Sequence, residues 1–191
     1  MLFNRALDPV NQTWVWQSPG FGGTLHAVAA GDRNEDGFLD IVCGGQRSDS
    51  SIGYIEVFDE PDFDSVHALS GFDDAVLSAG MSPRGPDSLP KILLGTYEYI
   101  SRGGEWGYGI TNSGHLYVLD GRDLTVENVA SFGSVREILS LDINGDTSEE
   151  VFFGKDYYEK LVSYIDPINS WRTISRVSEM TSEYSRHFTL Y

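Results

Sequence analysis

Two stretches of this chain space oxygen-bearing side chains as a cation loop does. In Gly31-Asp32-Arg33-Asn34-Glu35-Asp36-Gly37-Phe38-Leu39-Asp40, the residues Asp32, Asn34, Asp36 and Asp40 stand at places 1, 3, 5 and 9. In Leu141-Asp142-Ile143-Asn144-Gly145-Asp146-Thr147-Ser148-Glu149-Glu150 the same places hold Asp142, Asn144, Asp146 and Glu150. Four such donors, with a main-chain carbonyl free at place 7, are what a hard cation of flexible coordination requires, so the pattern predicts two Ca²⁺ sites. The twelve-residue helix-loop-helix version is excluded, because its last ligand would fall on Cys43 or Phe153. Asp, Asn and Gly do gather in any surface turn, where Asx side chains satisfy their own backbone. That explains one copy but not two copies in one register.

Each loop runs into a short apolar stretch closed by glycine, Ile41-Val42-Cys43-Gly44 and Val151-Phe152-Phe153-Gly154, which reads as a buried strand leaving the loop. Leu93-Leu94-Gly95 supplies a third copy of that ending, with Ala79-Gly80 matched to Ala30-Gly31. On this match the intervening loop, 81–91, is two residues longer and has lost its ligands, Met81 replacing the first Asp and Lys91 the ninth-place carboxylate. No metal is expected there. An ammonium at place 9 either fills part of the space of a metal or points to solvent, and the rarity of buried lysine favours solvent.

A second marker, two apolar residues followed by Asp, recurs at Ala6-Leu7-Asp8, Val57-Phe58-Asp59, Val118-Leu119-Asp120 and Tyr164-Ile165-Asp166, each opening a turn. Its period is that of a unit of several short strands. Alternation and breakers give four strands per unit: Leu25–Ala30, Leu39–Cys43, Gly53–Phe58 and Ser65–Leu69 in the first; Ala75–Gly80, Lys91–Leu94, His115–Leu119 and Thr125–Val129 in the second; Val135–Leu141, Glu150–Phe153, Leu161–Ile165 and Trp171–Ser175 in the third. The expected fold is therefore all-β, built of β-propeller blades of four antiparallel strands, with a calcium loop between the first and second strands. Blades fall at about 21–70, 72–130 and 132–177. Residues 2–17 read as strands 3 and 4 of a preceding blade and 185–191 as strand 1 of a following one. Three blades are too few for a ring, so 1–191 reads as a segment of a longer propeller or one partner in a ring built from several chains.

The formal charge of −16, from 29 acidic and 13 basic residues, argues against nucleic acid and anionic membrane surfaces as partners. Lysine is scarce, three against ten arginines, and the acidity fits either a high-salt setting or an acidic extracellular surface. No apolar run is long enough to span a bilayer. Met1-Leu-Phe-Asn-Arg5 lacks a signal peptide's apolar region, which reads as a trimmed chain or a piece of a longer one. The single cysteine, Cys43, lies in an expected buried strand and reads as core filler.

Residues 21–44 and 132–154 resemble the FG-GAP (VCBS-type) repeat, the blade of the integrin α-subunit propeller and of many microbial secreted proteins. Residues 72–95 resemble it in degenerate form. The resemblance implies Ca²⁺ on the eight side chains named above, with the carbonyls of Phe38 and Ser148 completing each shell, although Glu150 departs from the usual Asp. It implies a calcium-stabilised module, extracellular or on the cell surface, for protein or glycan binding, adhesion or scaffolding. The ligand surface would be the strand 2 to 3 connection 96–113, which carries Tyr97, Tyr99, Trp106 and Tyr108 among glycines; those rings suit an interface or sugar stacking, or else fold back over their own unit. Gly114-His115-Leu116-Tyr117-Val118-Leu119-Asp120-Gly121 also looks like the repeats of quinoprotein-type propellers, which keeps open the alternative of a propeller enzyme, a dehydrogenase of that type or a polysaccharide lyase. No catalytic constellation stands out: His26, His67, His115 and His187 lie on different segments without metal or triad spacing.

Overall fold

The computed structural model describes residues 5–18, 22–50, 52–59, 65–72, 75–82, 89–102, 109–131, 133–142, 145, 149–155, 161–165 and 173–179. The described chain is all-β. A pair, β1 (Arg5–Asp8) and β2 (Thr13–Gln17), precedes an antiparallel sheet of β3 (Gly23–Gly31), β4 (Asp40–Arg47), β5 (Gly53–Asp59) and β6 (Ser65–Phe72) in sequential order. The next sheet holds β7 (Ala75–Ser82), β8 (Lys91–Arg102), β10 (His115–Asp120) and β11 (Val126–Ser131), with β9 (Gly109–Ser113) paired to the far half of β8. The last is β12 (Val135–Leu141), β13 (Glu150–Lys155), β14 (Leu161–Ile165) and β15 (Thr173–Glu179). Among the described residues no helix is long and apolar enough to cross a membrane.

The sheets stack face to face, which explains why their second strands are apolar runs and not alternations. Ile41 and Cys43 turn one way, toward Trp16, whose ring meets Phe58 edge-on at 5.1 Å. Val42 turns the other way, joining Ala27, Ile55, Val57 and Phe72 against Val76, Ile92, Leu94, Tyr117 and Leu119 of the second sheet. That sheet's opposite face, Leu93, Leu116 and Val118, packs on Val135, Val151 and Phe153 of the third. Both faces of β4 and β8 are thus dry, and each fully buried aliphatic or aromatic side chain contributes about 1.5–3 kcal/mol. Burial also pushes the Cys43 thiol up to about 12, with Glu56 adding to it, so this thiol is inert filler.

The three sheets share a local irregularity. A β-bulge interrupts the first ladder between Leu25 and Ala27, the second between Val76 and Ser78, and the third between Val135 and Glu137. A bulge re-aims the side chain beside it. A Cβ on Gly44 would lie 2.6 Å from Val76 Cγ1, and one on Gly95 2.6 Å from Val135 Cγ1 and 2.5 Å from its carbonyl oxygen. The glycines closing the first two apolar runs, Gly44 and Gly95, are thus the sockets for the bulge valines of the second and third sheets.

The ladders also correct the matching of the three loops. Their last pairs are Gly31 with Asp40, Ser82 with Lys91 and Leu141 with Glu150. The middle connection is therefore no longer than the others: Ser82, not Gly80, is the counterpart of Gly31, and Pro83, not Met81, stands at place 1. Gly44→Ala should cost about 1–3 kcal/mol, because the β-branched Val76 cannot swing aside. In urea denaturation, Gly44→Ala combined with Val76→Ala should cost less than the sum of the two single changes.

Candidate metal centre

The first loop is folded by its own carboxylates. Asp32 Oδ1 accepts the amide of Asp36 at 3.1 Å and Asp32 Oδ2 that of Gly37 at 3.0 Å. Asn34 Oδ1 accepts from Asp36 N at 3.1 Å, and Asp36 Oδ1 from Phe38 N at 2.9 Å. Asn34 Nδ2 donates to Asp36 Oδ2 at 2.8 Å. The reversal needs left-handed backbone at Glu35 (φ 60°) and at Gly37 (φ 90°), where only the latter lacks the Cβ penalty. Phe38, whose carbonyl is the expected place 7 ligand, is exposed at the loop's end.

Asp40 differs from its loop partners in being fully buried at the first residue of β4. Its Oδ2 accepts the amide of Arg33 at 3.1 Å, with Arg33 Nε 3.7 Å away, while its Oδ1 is buried without a hydrogen-bond partner. Burial pushes this carboxyl up; the Arg33 amide and guanidinium pull against that, and Asp59 and Asp36 add to it. A buried, unsatisfied carboxylate oxygen following three oxygen donors that keep contact with water is the chemistry of a site for a hard cation. The fit is one of donor type and order. Among the described residues no three His, Cys, Asp or Glu side chains are gathered on one point, since Asp32, Asn34 and Asp36 turn their oxygens onto the loop's amides.

Sequence reasoning passed over Arg33 at place 2. Only 4 % exposed, it reaches Asp59 Oδ1 at the end of β5 through Nε (3.1 Å) and Nη2 (2.5 Å), and through Nη1 the carbonyls of Gly121 and Arg122 in the turn after β10. Arg122 returns the contact with an ion pair to Glu35 at 2.8 Å. The approach is close enough that a Cβ on Gly121 would lie 2.1 Å from the Arg33 carbonyl. The first loop is thereby pinned to the second sheet. The signal in the sequence is the Asp that ends the third strand of the first two sheets, Asp59 and Asp120.

In the second sheet the ninth place holds Lys91, and the expectation that it points to solvent is wrong. It is 1 % exposed, and its Nζ lies 2.7 Å from Glu127 Oε1 and 3.3 Å from Asp120 Oδ2. Asp120 is the counterpart of Asp59, so in both sheets the third-strand aspartate meets a cation buried beneath the loop. The extended reach to Glu127 on β11 is what lets an ammonium be buried there at all.

The third loop is described only in part. Asp142 Oδ1 accepts the amide of Gly145 at 2.6 Å, Gly145 being left-handed (φ 77°) at the place of Glu35. Glu150 is 3 % exposed at the first residue of β13, and its neighbour Glu149 takes a hydrogen bond from Ser140 Oγ. Asn144, Asp146 and Ser148 lie outside the described residues. So do Trp106 and Tyr108 of the 96–113 connection, and the side chain of Tyr99. What is described of that connection is strand, not loop: β8 runs on to Arg102 and pairs with β9, placing Tyr99 opposite Asn112. Tyr97 is half-buried, with the Arg136 guanidinium 5.2 Å from its ring centre.

No protein-family model matches the chain, and no curated protein matches it.

Replacing Lys91 by methionine should leave Asp120 and Glu127 facing an apolar group. Both keep some contact with water, so the expected loss is about 1–3 kcal/mol. Burial raises the Asp120 carboxyl, but the amides of Arg122 and Asp123 and the Lys91 ammonium outweigh it and hold the carboxyl below its ordinary value. A carboxyl depressed by folding contributes stability above its unfolded value, lost as pH falls through the folded one. Urea midpoints should therefore fall in the native chain as pH drops below the ordinary aspartate range, and fall less in Lys91→Met.

Proposed function

We propose that this chain is a calcium-stabilised β-propeller module, working outside the cytoplasm, that binds a protein or glycan partner. The observation that carries the reading is the buried, unpartnered Oδ1 of Asp40, lying after Asp32, Asn34 and Asp36 in the order of a calcium loop. The other supports are the recurrence of the ninth-place acid as Glu150, and stacked four-stranded sheets whose connections lie between first and second strands. The carbonyl of Phe38 would complete the first shell and that of Ser148 the second. Calcium there would neutralise the acids of the loop, and extracellular calcium fills sites of modest affinity, with Kd on the order of 10⁻⁴–10⁻³ M. The connection 96–113, which carries Tyr97 and Tyr99 on β8 and Trp106 and Tyr108 in the sequence between β8 and β9, is the proposed partner-binding element.

Binding to the folded state alone stabilises it by RT ln(1 + [L]/Kd), about 2.7 kcal/mol per site at a hundredfold excess over Kd. The melting temperature should rise with added calcium and fall in chelator. Asp36→Ala should abolish a large part of that rise and Asp87→Ala, in the middle loop, none; a melt indifferent to calcium would refute the structural role. For the hairpin, a joint Trp106→Ala and Tyr108→Ala change should leave the melt unaltered and remove binding to whichever immobilised glycan or extracellular protein the native chain retains.

A further inference from the structure

The pair β1–β2 has the geometry of the outer half of a sheet. Asp8 Oδ1, at the end of β1, accepts the amides of Val10 and Asn11 at 2.8 and 3.2 Å; Asp120 Oδ1, at the end of β10, accepts those of Arg122 and Asp123 at the same two distances. Both turns close by a main-chain bond to the aspartate carbonyl, from Gln12 and from Leu124, and those two residues share left-handed backbone, φ 55° and 62°. β1 and β2 therefore correspond to the third and fourth strands of a sheet. In the three larger sheets the third strand pairs on both edges, β5 with β4 and β6, β10 with β8 and β11, β14 with β13 and β15. Among the described residues β1 pairs only with β2.

The face beneath shows the same gap. Where β1–β2 covers the first sheet, over Cys43, Tyr54 and Phe58, the side chains are buried. On the innermost strand of that sheet, on the face turned toward the β1–β2 pair, Val28 is 65 % exposed. Its counterparts by ladder position are not bare: Ala79 packs into the core between the first and second sheets, and Ile138 packs so closely on the second that a Cβ on Gly80 would lie 2.8 Å from its Cγ2. What covers those counterparts is the first and second strands of the preceding sheet.

We propose that β1 and the Val28 face form a docking surface for a partner β-hairpin of the same build as β3–β4. The partner's second strand would pair with the edge of β1 that no described strand occupies, a strand addition whose main-chain bonds supply affinity and whose side chains supply selectivity. The selectivity can be stated. Leu25 stands at the bulge where Val76 and Val135 stand, so the hairpin must offer it a glycine, as Gly44 and Gly95 do for those two; opposite Val28 it must offer a small residue, as Gly80 does for Ile138. Docking continues the interface that Trp16 and Phe58 already form, and it needs no metal.

A synthetic peptide of residues 22–47, which contains such a glycine in Gly44 and a small residue in Ala29, is the probe. Titrated into the full chain, it should bind one to one and slow amide hydrogen exchange in residues 5–8 at least tenfold. Gly44→Leu in the peptide, or Val28→Asp in the protein, should weaken binding tenfold or more; Val28 is exposed, so its substitution leaves the fold intact. Because a free peptide need not hold a hairpin, the same residues fused ahead of Met1 through a Gly/Ser linker should raise the melting temperature above that of a fusion carrying Gly44→Leu in the added segment. Failure of both peptide and fusion to protect β1, or equal protection by the Gly44→Leu forms, overturns the proposal. So does a chain that self-associates with β1 already protected, because the occupant is then a second copy.

Discussion

Each of the three larger sheets buries a charge where its second strand begins: Asp40, Lys91 and Glu150 are all nearly inaccessible to water. A charge in that position must be compensated, since an isolated one would cost several kcal/mol after every relaxation open to it. The local sequence is arranged around that need. Under Lys91 the compensation is anionic and comes from two strands, Asp120 on β10 and Glu127 on β11. Beside Asp40 it is cationic, from Arg33 within the loop, and incomplete, because one oxygen keeps no partner. The sign of the ninth residue thus sets the sign of the compensation it needs. Lys91 is met by two acids, whereas Asp40 is met by Arg33 and, on the proposed function, would be met by a cation as well.

Compensation and packing reinforce one another. Arg33 satisfies Asp40 and Asp59 and also reaches the carbonyls of Gly121 and Arg122, so the residue that neutralises the first sheet also ties it to the second. On the same interface Val76 fills the socket above Gly44. Movement of one sheet against the next would break a charge-assisted contact and open a cavity together, each costly alone. The loop is consequently part of the joint between sheets, and a cation held by Asp32, Asn34 and Asp36 would stiffen the segment from which Arg33 projects.

Much of this was legible in the residues because two-sided burial writes a plain signature, an apolar run ended by glycine. β12 and β14 lie where breakers and alternation put them, and most other strands within a few residues. The exceptions have physical causes. β8 runs on to Arg102 because a polar, glycine-rich stretch can pair as a ribbon with β9 as readily as it can loop. In the middle loop Ala79-Gly80 imitates Ala30-Gly31 in sequence, and only the ladder register shows Ser82 to be the counterpart of Gly31. Lys91 departs from the expectation because the propensity of lysine for water is an average, and two acids on other strands, invisible to local pattern, override it. The same holds for Arg33: apart from Asp40, its partners lie 26 to 89 residues away along the chain.

Native mass spectrometry of the chain in millimolar calcium tests this account most directly, because it counts ions without reference to stability. The native chain should carry two, Asp40→Asn one, and Lys91→Met still two, since in the corrected register the middle loop keeps only Asp87, at place 5, of the four side-chain donors. A chain that carries no calcium, or one whose ion count is untouched by Asp40→Asn, would contradict the claim that the buried ninth-place acid calls a metal into the loop.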